Sequence, residues 1–268
     1  MTISFWPADP RTIDTHVHVD SVDYRPVEEF TAFWGSRRAV LSEHFTSPSS
    51  DYITRLIDAH PNRYRGLLLL HPGAAEDPGL RRVLAQPDRL GARVRLRTDD
   101  DVVAAAPAID AIARRGGFVS LHCTWTVMSG TELPTLLDRH PALDVRIEHF
   151  GSWPYDEHPH FDGMARDVFR RPSVYTMISS QYAFTTEPHP YPAATRITRE
   201  YLEEVGPERV MWSTDWNRND LDPARGDDYL HEAAEFLEQV VGADHAPQVL
   251  FRSAERFFRF PLTGELTP

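Results

Sequence analysis

Arg11-Thr-Ile-Asp-Thr-His-Val-His-Val19 reads as a short apolar strand that ends in two histidines, His16 and His18. Side chains on a strand alternate between its two faces, so both imidazoles are expected on one face, close enough to bind one metal ion. The spacing alone is a weak signal, because Tyr155-Asp-Glu-His158-Pro-His160 carries the same pair in what reads as a polar loop. The significance of the pair therefore depends on what lies elsewhere in the chain.

Three more ligand-type residues end later strand-like runs. His122 closes Gly117-Phe-Val-Ser-Leu-His122, His149 closes Val145-Arg-Ile-Glu-His149, and Asp215 closes Val210-Met-Trp-Ser-Thr-Asp215. In a barrel of alternating strands and helices, the carboxyl ends of the strands converge on one site. The two N-terminal histidines and these three residues are therefore predicted to lie together.

The five residues suggest distinct roles. His16, His18, His122 and Asp215 would offer three neutral nitrogens and one carboxylate to one divalent metal ion, with Zn²⁺ expected first and Mn²⁺ or Fe²⁺ as alternatives. Asp215 is also a candidate base for a water on that metal. His149 is a candidate for orienting the water or the substrate oxygen. The alternative for His149 is a core histidine bonded to a carbonyl.

Strand-like runs alternate with helical patterns along the whole chain. Eight such runs are found: Thr12–Val19, Arg38–Leu41, Gly66–Leu70, Gly91–Leu96, Phe118–His122, Asp144–Phe150, Val174–Ser179 and Arg209–Thr214. Helices are predicted at Asp51–His60, Asp101–Arg115, Thr131–His140, Ala193–Val205 and Tyr229–Val241, the last of which stops at Gly242. The pattern predicts an α/β protein, a (β/α)₈ TIM barrel that forms a single domain over residues 1–268. A doubly wound open sheet is the alternative, but its usual Gly-rich first turn is missing.

The composition restricts the partners and the chemistry. The 268 residues carry a formal net charge of -12 without a basic cluster, which argues against nucleic acid and membrane surfaces as partners. All 28 basic residues are arginine, so Schiff-base catalysis by lysine and a carboxylated-lysine bridge between two metals are excluded. The single cysteine, Cys123, and the lack of a secretory pattern at the start predict a cytoplasmic protein. A homo-oligomer is compatible with these features.

The fourth strand carries three arginines in alternation with apolar residues. Arg93, Arg95 and Arg97 share one face, which should turn toward the barrel interior or its mouth. A guanidinium in such a place needs an anion, and a substrate carboxylate is the obvious one. The alternative is structural. Arg97 would then be solvated at the strand end, and Arg95 would pair with an internal acid such as Asp14 or Glu148. Arg93 would likewise form a structural pair with an internal acid.

Aromatic residues follow several strand ends. Four of them could form the floor of a pocket for a ring, or could simply pack in the core: Trp125, Phe150, Trp153 and Trp216. We take Trp125 and Trp153 as the candidates for substrate contact. Two long connections, Gly151–Gly163 and Gln181–Pro192, read as lids or binding loops, or else as proline-stiffened surface.

Taken in order, several motifs of the chain resemble the amidohydrolase-related branch of the amidohydrolase superfamily. They are Ile13-Asp-Thr-His-Val-His18, Gly91-Ala-Arg93, Leu121-His122, Glu148-His-Phe-Gly151 and Arg209-Val-Met-Trp-Ser-Thr-Asp-Trp216, and they span nearly the whole sequence. The branch contains enzymes similar to aminocarboxymuconate-semialdehyde decarboxylase and to 2-pyrone-4,6-dicarboxylate lactonase. The resemblance implies a distorted (β/α)₈ barrel. It also implies that His16, His18, His122 and Asp215 are metal ligands and that His149 lies beside the reactive water.

The two sub-groups of the branch differ in details that this chain shows. His122 resembles the metal-dependent decarboxylases. Gly91-Ala-Arg93 and the run around Asp215 resemble the lactonases, in which the first arginine binds a substrate carboxylate and some members work without metal. The chain departs from the family pattern at Asn217, where proline is usual, and at Ser253, where asparagine is usual. Serine can still cap the last helix, whereas Asn217 could alter the pocket.

Three functions are compatible with the sequence. The first is a metal-dependent hydrolase of an ester-like bond, a lactone or related ester, in a small carboxylated substrate, with Asp215 as the base. The second is a metal-dependent, non-oxidative decarboxylase of an aromatic or muconate-type acid. The third is a non-catalytic member that uses the barrel as a binding scaffold. We expect the first, with the second as its alternative. The third is the weakest, because a scaffold has no need of five convergent ligand-type residues.

Overall fold

The computed structural model describes residues 11–19, 27, 38–46, 50–73, 77–158, 160–179, 183–215 and 228–262. Its strands are β1 (Ile13–Val17), β2 (Arg38–Ser42), β3 (Tyr64–Leu70), β4 (Leu90–Leu96), β5 (Phe118–Cys123), β6 (Asp144–Ile147), β7 (Val174–Ile178) and β8 (Val210–Trp212). Its helices are α1 (Ser50–Ala59), α2 (Pro78–Ala85), α3 (Asp99–Arg114), α4 (Trp125–Met128), α5 (Glu132–Arg139), α6 (Gly163–Phe169), α7 (Pro192–Val205), α8 (Asp228–Pro247) and α9 (Ser253–Phe257). A 3₁₀ turn, Pro207–Arg209, precedes β8, and a π-helical segment, Gln248–Arg252, joins α8 to α9.

The strands form one parallel sheet in chain order from β1 to β8. Side chains bridge the seam between the last strand and the first. Thr15 Oγ1 donates a hydrogen bond to the carbonyl of Trp212 over 2.8 Å, and the amide of Thr214 donates to Asp14 Oδ1 over 3.2 Å. The sheet is therefore nearly closed, with helices between the strands, and the predicted (β/α)₈ barrel is confirmed. None of the described helices is long and apolar enough to cross a lipid bilayer.

All eight predicted strands are present, but the sixth is shorter than predicted. The prediction extended it through Phe150, whereas β6 ends at Ile147. The reason is the backbone, because φ is +48° at His149 and +55° at Phe150, in the left-handed region. Asp215 has φ of +55° as well, just beyond β8. Both of these predicted site residues therefore lie at sharp bends that follow a strand.

The predicted helices are also present, with small shifts at their ends. Helix α3 begins two residues earlier than predicted, because Thr98 and Asp101 form a capping box in which each amide donates to the other's side chain over 3.2 Å. The last predicted helix should stop at Gly242. The backbone does break there, with φ 69° and ψ 167°, but helical turns then resume as far as Pro247. The short helices α2, α4 and α6 are not among the predicted ones.

Aromatic rings pack at the end of the barrel where the strands begin. Gly91 permits this on β4, because a Cβ at that position would lie 2.2 Å from the ring of Phe118. Phe118 packs in turn on Phe257 and Phe258, with ring centroids 5.6 and 5.4 Å away. The C-terminal helix α9 therefore covers the end of the barrel where the strands begin. The opposite end, where the strands finish, carries the polar residues of the candidate site.

Candidate active site

The histidine pair lies at the carboxyl end of β1 with both rings on one face, as predicted. Nε2 of His16 and Nε2 of His18 are 3.1 Å apart, and both side chains are buried. Oδ1 of Asp215 lies 3.6 Å from the first nitrogen and 3.5 Å from the second. Three of the four predicted metal ligands therefore come together. We call these three residues the ligand triangle.

The ligand triangle has the dimensions of a metal site. Two ligands bound to zinc at about 2.1 Å in tetrahedral geometry lie about 3.4 Å apart. The three separations here range from 3.1 to 3.6 Å. Nδ1 of His18 also donates to the carbonyl of Ser42 over 2.8 Å, which leaves the lone pair of Nε2 directed at the triangle. The residues present therefore fit one divalent metal ion.

His16 has a more crowded environment than His18. Its Nδ1 lies 3.2 Å from Ser42 Oγ and 3.2 Å from Nη2 of Arg146. Burial holds the pKa of His16 well below its usual value, so the ring is neutral. Because a guanidinium can only donate, Arg146 favours the form of His16 that carries its proton on Nε2. A metal can therefore bind this nitrogen only if the proton leaves Nε2, either for solvent or for Nδ1, where Ser42 Oγ can accept a hydrogen bond from it.

His122, the fourth predicted ligand, stands beside the ligand triangle rather than in it. Its Nδ1 is 3.3 Å from Oε2 of Glu148, and its ring centroid is 5.7 Å from that of His149. The described residues contain two groups whose donor atoms lie close enough to share an ion, and His122 belongs to neither. The second group contains Glu148, whose carboxylate is already engaged by other side chains. His122 does line the cavity above the triangle.

Glu148, which the sequence suggests only as an internal acid, is the centre of a buried charge network. Its carboxylate accepts from Nε and Nη2 of Arg93 over 3.0 and 2.9 Å and from Oγ of Ser120 over 2.8 Å. Nη2 of Arg146 is 3.6 Å away. Burial alone would raise the pKa of this carboxyl, but Arg93 and its other neighbours hold the pKa well below the usual value. Glu148 is therefore an anion at neutral pH.

Arg93 is consequently paired with an internal acid, although part of its side chain also lines the cavity. Its Nη1 donates to the carbonyl of Glu43 over 2.8 Å, and the whole side chain is buried. The resemblance places Arg93 first among the carboxylate-binding arginines, but here Glu148 already neutralises it. The structure favours the alternative in which Arg93 pairs with an internal acid. Arg97 is 69 % exposed at the strand end, as that alternative also expects.

Arg95 is the exposed arginine of β4 at the cavity. It pairs in register with His122 of β5, it is exposed, and it lines the cavity. Its guanidinium carbon lies 4.8 Å from the ring centroid of Phe45. Within the described ranges no carboxylate approaches Arg95 to ion-pair distance. A guanidinium without a protein anion at a cavity mouth is a ready site for a ligand anion.

His149 faces the cavity from the turn that follows β6. Its Nδ1 is hydrogen-bonded to Ser179 Oγ over 2.8 Å, and its ring centroid is 5.4 Å from that of His16. Burial lowers the pKa of His149 to about 4, so the ring is neutral at pH 7. Ser179 fixes the orientation of this neutral ring, whose other nitrogen can then hold a water or a substrate oxygen.

The cavity has a volume of about 350 Å³, in the range of small-molecule sites. Its lining comes from the ends of several strands and from the loops that follow them: His18, His44, Phe45, Thr46, Arg93, Arg95, His122, His149, Ala183, Phe184 and Asp215. Burial would raise the pKa of Asp215, but His149, His18 and His16 together hold it well below the usual value. Asp215 is therefore ionised at neutral pH and able to accept a proton.

A sequence profile of the amidohydrolase family matches residues 13–260, which include all five predicted ligand-type residues. The chain belongs to the amidohydrolase family. No curated protein matches this amidohydrolase at a significant level.

Solved structures share the fold of this amidohydrolase at low sequence identity. A Pseudomonas putida protein, provisionally named a 2-pyrone-4,6-dicarboxylic acid hydrolase, is 19 % identical with a TM-score of 0.73, over 94 % of this chain and 98 % of its own. An Acinetobacter baumannii protein with the same provisional name, solved with citric acid bound, is 18 % identical with a TM-score of 0.70, over 93 % and 100 %. A lactonase from Listeria monocytogenes is 11 % identical with a TM-score of 0.54, over 96 % and 97 %. At these identities the likeness shows a common fold.

The aromatic candidates for substrate contact lie outside the cavity of the amidohydrolase. Trp153 is fully buried, and its Nε1 donates to the carbonyl of His158 over 2.9 Å. Trp125 stacks on the ring of His158, with centroids 3.9 Å apart. Phe150 is buried among other rings in the core. Trp216 lies outside the described residues. The packing alternative therefore describes Trp125, Phe150 and Trp153 best.

The cavity residues that the sequence did not indicate include His44 and Phe45, in the segment after β2. The rings of His44 and His18 lie 4.9 Å apart. Neither residue belongs to a periodic pattern or to a motif of the resemblance. The only signal available was their position directly after a buried strand, which is the same signal that identified His122 and Asp215.

The turn after β6 stores backbone strain. Residues 149 to 152 all have positive φ, at 48°, 55°, 69° and 47°. A left-handed conformation costs roughly 1 kcal/mol for a residue with a Cβ, and glycine avoids this cost. We therefore expect Ser152→Gly to be more stable than Ser152→Ala by about 1 kcal/mol, the reverse of the order in an ordinary helix. Urea unfolding of the two variants measures this difference, and equal or greater stability of the alanine variant would contradict it.

Proposed function

We propose that this amidohydrolase hydrolyses an ester-like bond, such as that of a lactone, in a small substrate that carries a carboxylate. One observation carries the proposal: the ionised Asp215 beside the histidine pair shares a cavity with Arg95, a cation without a carboxylate partner within the described ranges. Asp215 can activate water, and Arg95 can hold the substrate. The names of the similar structures, two for a pyrone dicarboxylate hydrolase and one for a lactonase, support this reaction class.

Substrate binding is assigned to Arg95. Its guanidinium would hold a carboxylate through paired, charge-assisted hydrogen bonds, which fix orientation as well as position. The citric acid bound to the Acinetobacter baumannii protein is a small carboxylate and supports this ligand class. His122, next to Arg95 across the β4–β5 pair, is well placed to contact the same end of the substrate.

The chemical step is assigned to Asp215 and His149. Asp215 takes a proton from the attacking water, and the neutral ring of His149, oriented by Ser179, aligns the water or the ester oxygen. A divalent metal held by His16, His18 and Asp215, zinc first and manganese or iron as alternatives, would supply Lewis-acid polarisation of the ester carbonyl. His122 contributes to this centre only if its ring moves toward the ligand triangle.

A substrate screen with metal analysis tests the proposal. Purified protein should be assayed against carboxylated lactones and esters and against aromatic and muconate-type acids, with titration of released acid and detection of CO₂ in parallel. We expect hydrolysis of a carboxylated lactone or ester and about one equivalent of divalent metal per chain. Release of CO₂ without hydrolysis would reject the proposal in favour of a decarboxylase. Full hydrolytic activity in demonstrably metal-free protein would show that the reaction does not require a metal.

Arg95→Met is expected to raise KM for the carboxylated substrate at least about tenfold, because an ionic hydrogen-bond pair of more than about 1.4 kcal/mol is lost. A neutral methyl-ester analogue should be affected little. Arg97→Met is the matched control, since Arg97 lies on the same strand face but is solvated. Steady-state kinetics with both substrates measures the effect. An equal rise in KM for the acid and the ester would show that Arg95 does not bind the substrate carboxylate.

A further inference from the structure

The ring of Phe45 covers the arginine that the family resemblance assigns to the substrate. The guanidinium carbon of Arg93 lies 4.1 Å from the ring centroid of Phe45, and that of Arg95 lies 4.8 Å from it. The ring of His122 is 5.1 Å away. Phe45 is half-buried and lines the cavity. A ligand in the cavity therefore meets this ring beside both guanidinium groups.

The segment before Phe45 is tied firmly to the neighbouring strands. The amide of Glu43 donates to the carbonyl of Leu67 over 2.9 Å. The carboxylate of Glu43 accepts from Oγ of Ser50 and from the amide of Leu69, each over 2.8 Å. The carbonyl of Glu43 accepts from Arg93 over 2.8 Å. The backbone two residues before Phe45 is thus anchored by hydrogen bonds to β3 and to Arg93.

The charge of Glu148, like the ring of Phe45, disfavours a second substrate carboxylate near Arg93. Arg93 is already paired with Glu148, whose carboxylate accepts hydrogen bonds from both Nε and Nη2. A second substrate carboxylate placed near Arg93 would have to displace Phe45 and would then face the buried anion Glu148. Arg95 differs from Arg93 in that it is exposed and has no carboxylate partner within the described ranges, although the ring of Phe45 lies 4.8 Å from its guanidinium carbon.

We propose that Phe45 determines the substrate class of the cavity: it covers Arg93, leaves Arg95 as the cation that a substrate meets, and provides a flat apolar surface, so that the site prefers a planar monocarboxylate to a dicarboxylate. The inference rests on the proposed function only in taking this cavity as the substrate site. It predicts for this chain a substrate class that differs from the dicarboxylate in the names of the two similar structures. The cavity of about 350 Å³ accommodates either kind of ligand, so size does not make the choice.

Binding of aromatic acids to the holoenzyme tests the inference without requiring turnover. Benzoate is the monocarboxylate probe, isophthalate the dicarboxylate probe and benzamide the neutral control, each measured by calorimetric titration. We expect the wild type to bind benzoate at least as tightly as isophthalate and benzamide at least tenfold more weakly. In Phe45→Ala, the ratio of isophthalate affinity to benzoate affinity should rise at least tenfold. Phe45→Leu keeps an apolar cover and should leave that ratio within a factor of three.

Several results would overturn the inference. They are tighter binding of isophthalate than of benzoate by the wild type, absence of benzoate binding by the wild type, and an unchanged ratio in Phe45→Ala. The leucine variant keeps the test decisive if the alanine variant does not fold, because a tenfold change of the ratio in Phe45→Leu would itself exclude simple covering. These outcomes are independent of the proposed hydrolysis. A protein that shows the expected ratios but releases CO₂ would retain the inference and lose the proposed reaction.

Discussion

Asp215→Asn is expected to lower kcat by roughly 10²–10⁴-fold, the range in which a general base contributes. The side chain keeps its size and its contacts with the histidine pair but can no longer accept a proton from water. The pKa of Asp215 lies well below its usual value, so the wild-type group is fully ionised at neutral pH and the variant removes a real charge. Steady-state kinetics with the substrate identified by the screen, together with the metal content of the variant, measures the effect.

The backbone provides a control for stability in the same experiment. Asp215 has φ of +55°, and asparagine is one of the few residues that tolerates this conformation. The melting temperature of Asp215→Asn should therefore change little, whereas Asp215→Ala should lose both activity and some stability. Near-normal turnover in Asp215→Asn would show that Asp215 is not the base. A large fall in melting temperature would show that its role is mainly structural.

Arg93→Met is expected to destabilise the protein by roughly 3–5 kcal/mol, the usual result of removing one member of a buried ion pair. Glu148 would be left as a buried anion with Ser120, His122 and the more distant Arg146. For a chain of this size the melting temperature should fall by about 10 °C. Differential scanning calorimetry measures this loss. The double variant Arg93→Met with Glu148→Gln should recover part of it, because the unpaired charge is then gone.

The pH dependence of stability gives an independent check on the same pair. The pKa of Glu148 is held below its usual value in the folded protein, so its contribution is complete above about pH 5 and is lost as the pH falls toward the folded pKa. Arg93→Met removes the main cation that depresses this pKa. We therefore expect acid unfolding of the variant to begin at a higher pH than in the wild type. Coincident acid transitions would mean that the Arg93–Glu148 pair contributes little to folding.

Local periodicity in the sequence determined most of the fold. Strands repeat every two residues and helices every 3.6, and both periods are visible in a single segment without knowledge of its neighbours. The eight strands were therefore found, the rings of His16 and His18 were placed on one face, and the arginines of β4 were separated from its apolar face. The errors arose where backbone geometry departs from these periods, as at His149 and Phe150, whose left-handed turn ends β6 early.

Tertiary structure alone decided which of these residues are engaged with one another. Arg93 and Arg95 are equivalent by alternation, yet Glu148, 55 positions away from Arg93 in the chain, neutralises the first and leaves the second to the cavity. The same holds for Phe45, which covers Arg93 from another strand end, and for His122, which faces Glu148 instead of the ligand triangle. These contacts depend on the register between strands, which is set only in the closed barrel. The alternation of side chains within one strand does not indicate which residues of another strand they will contact.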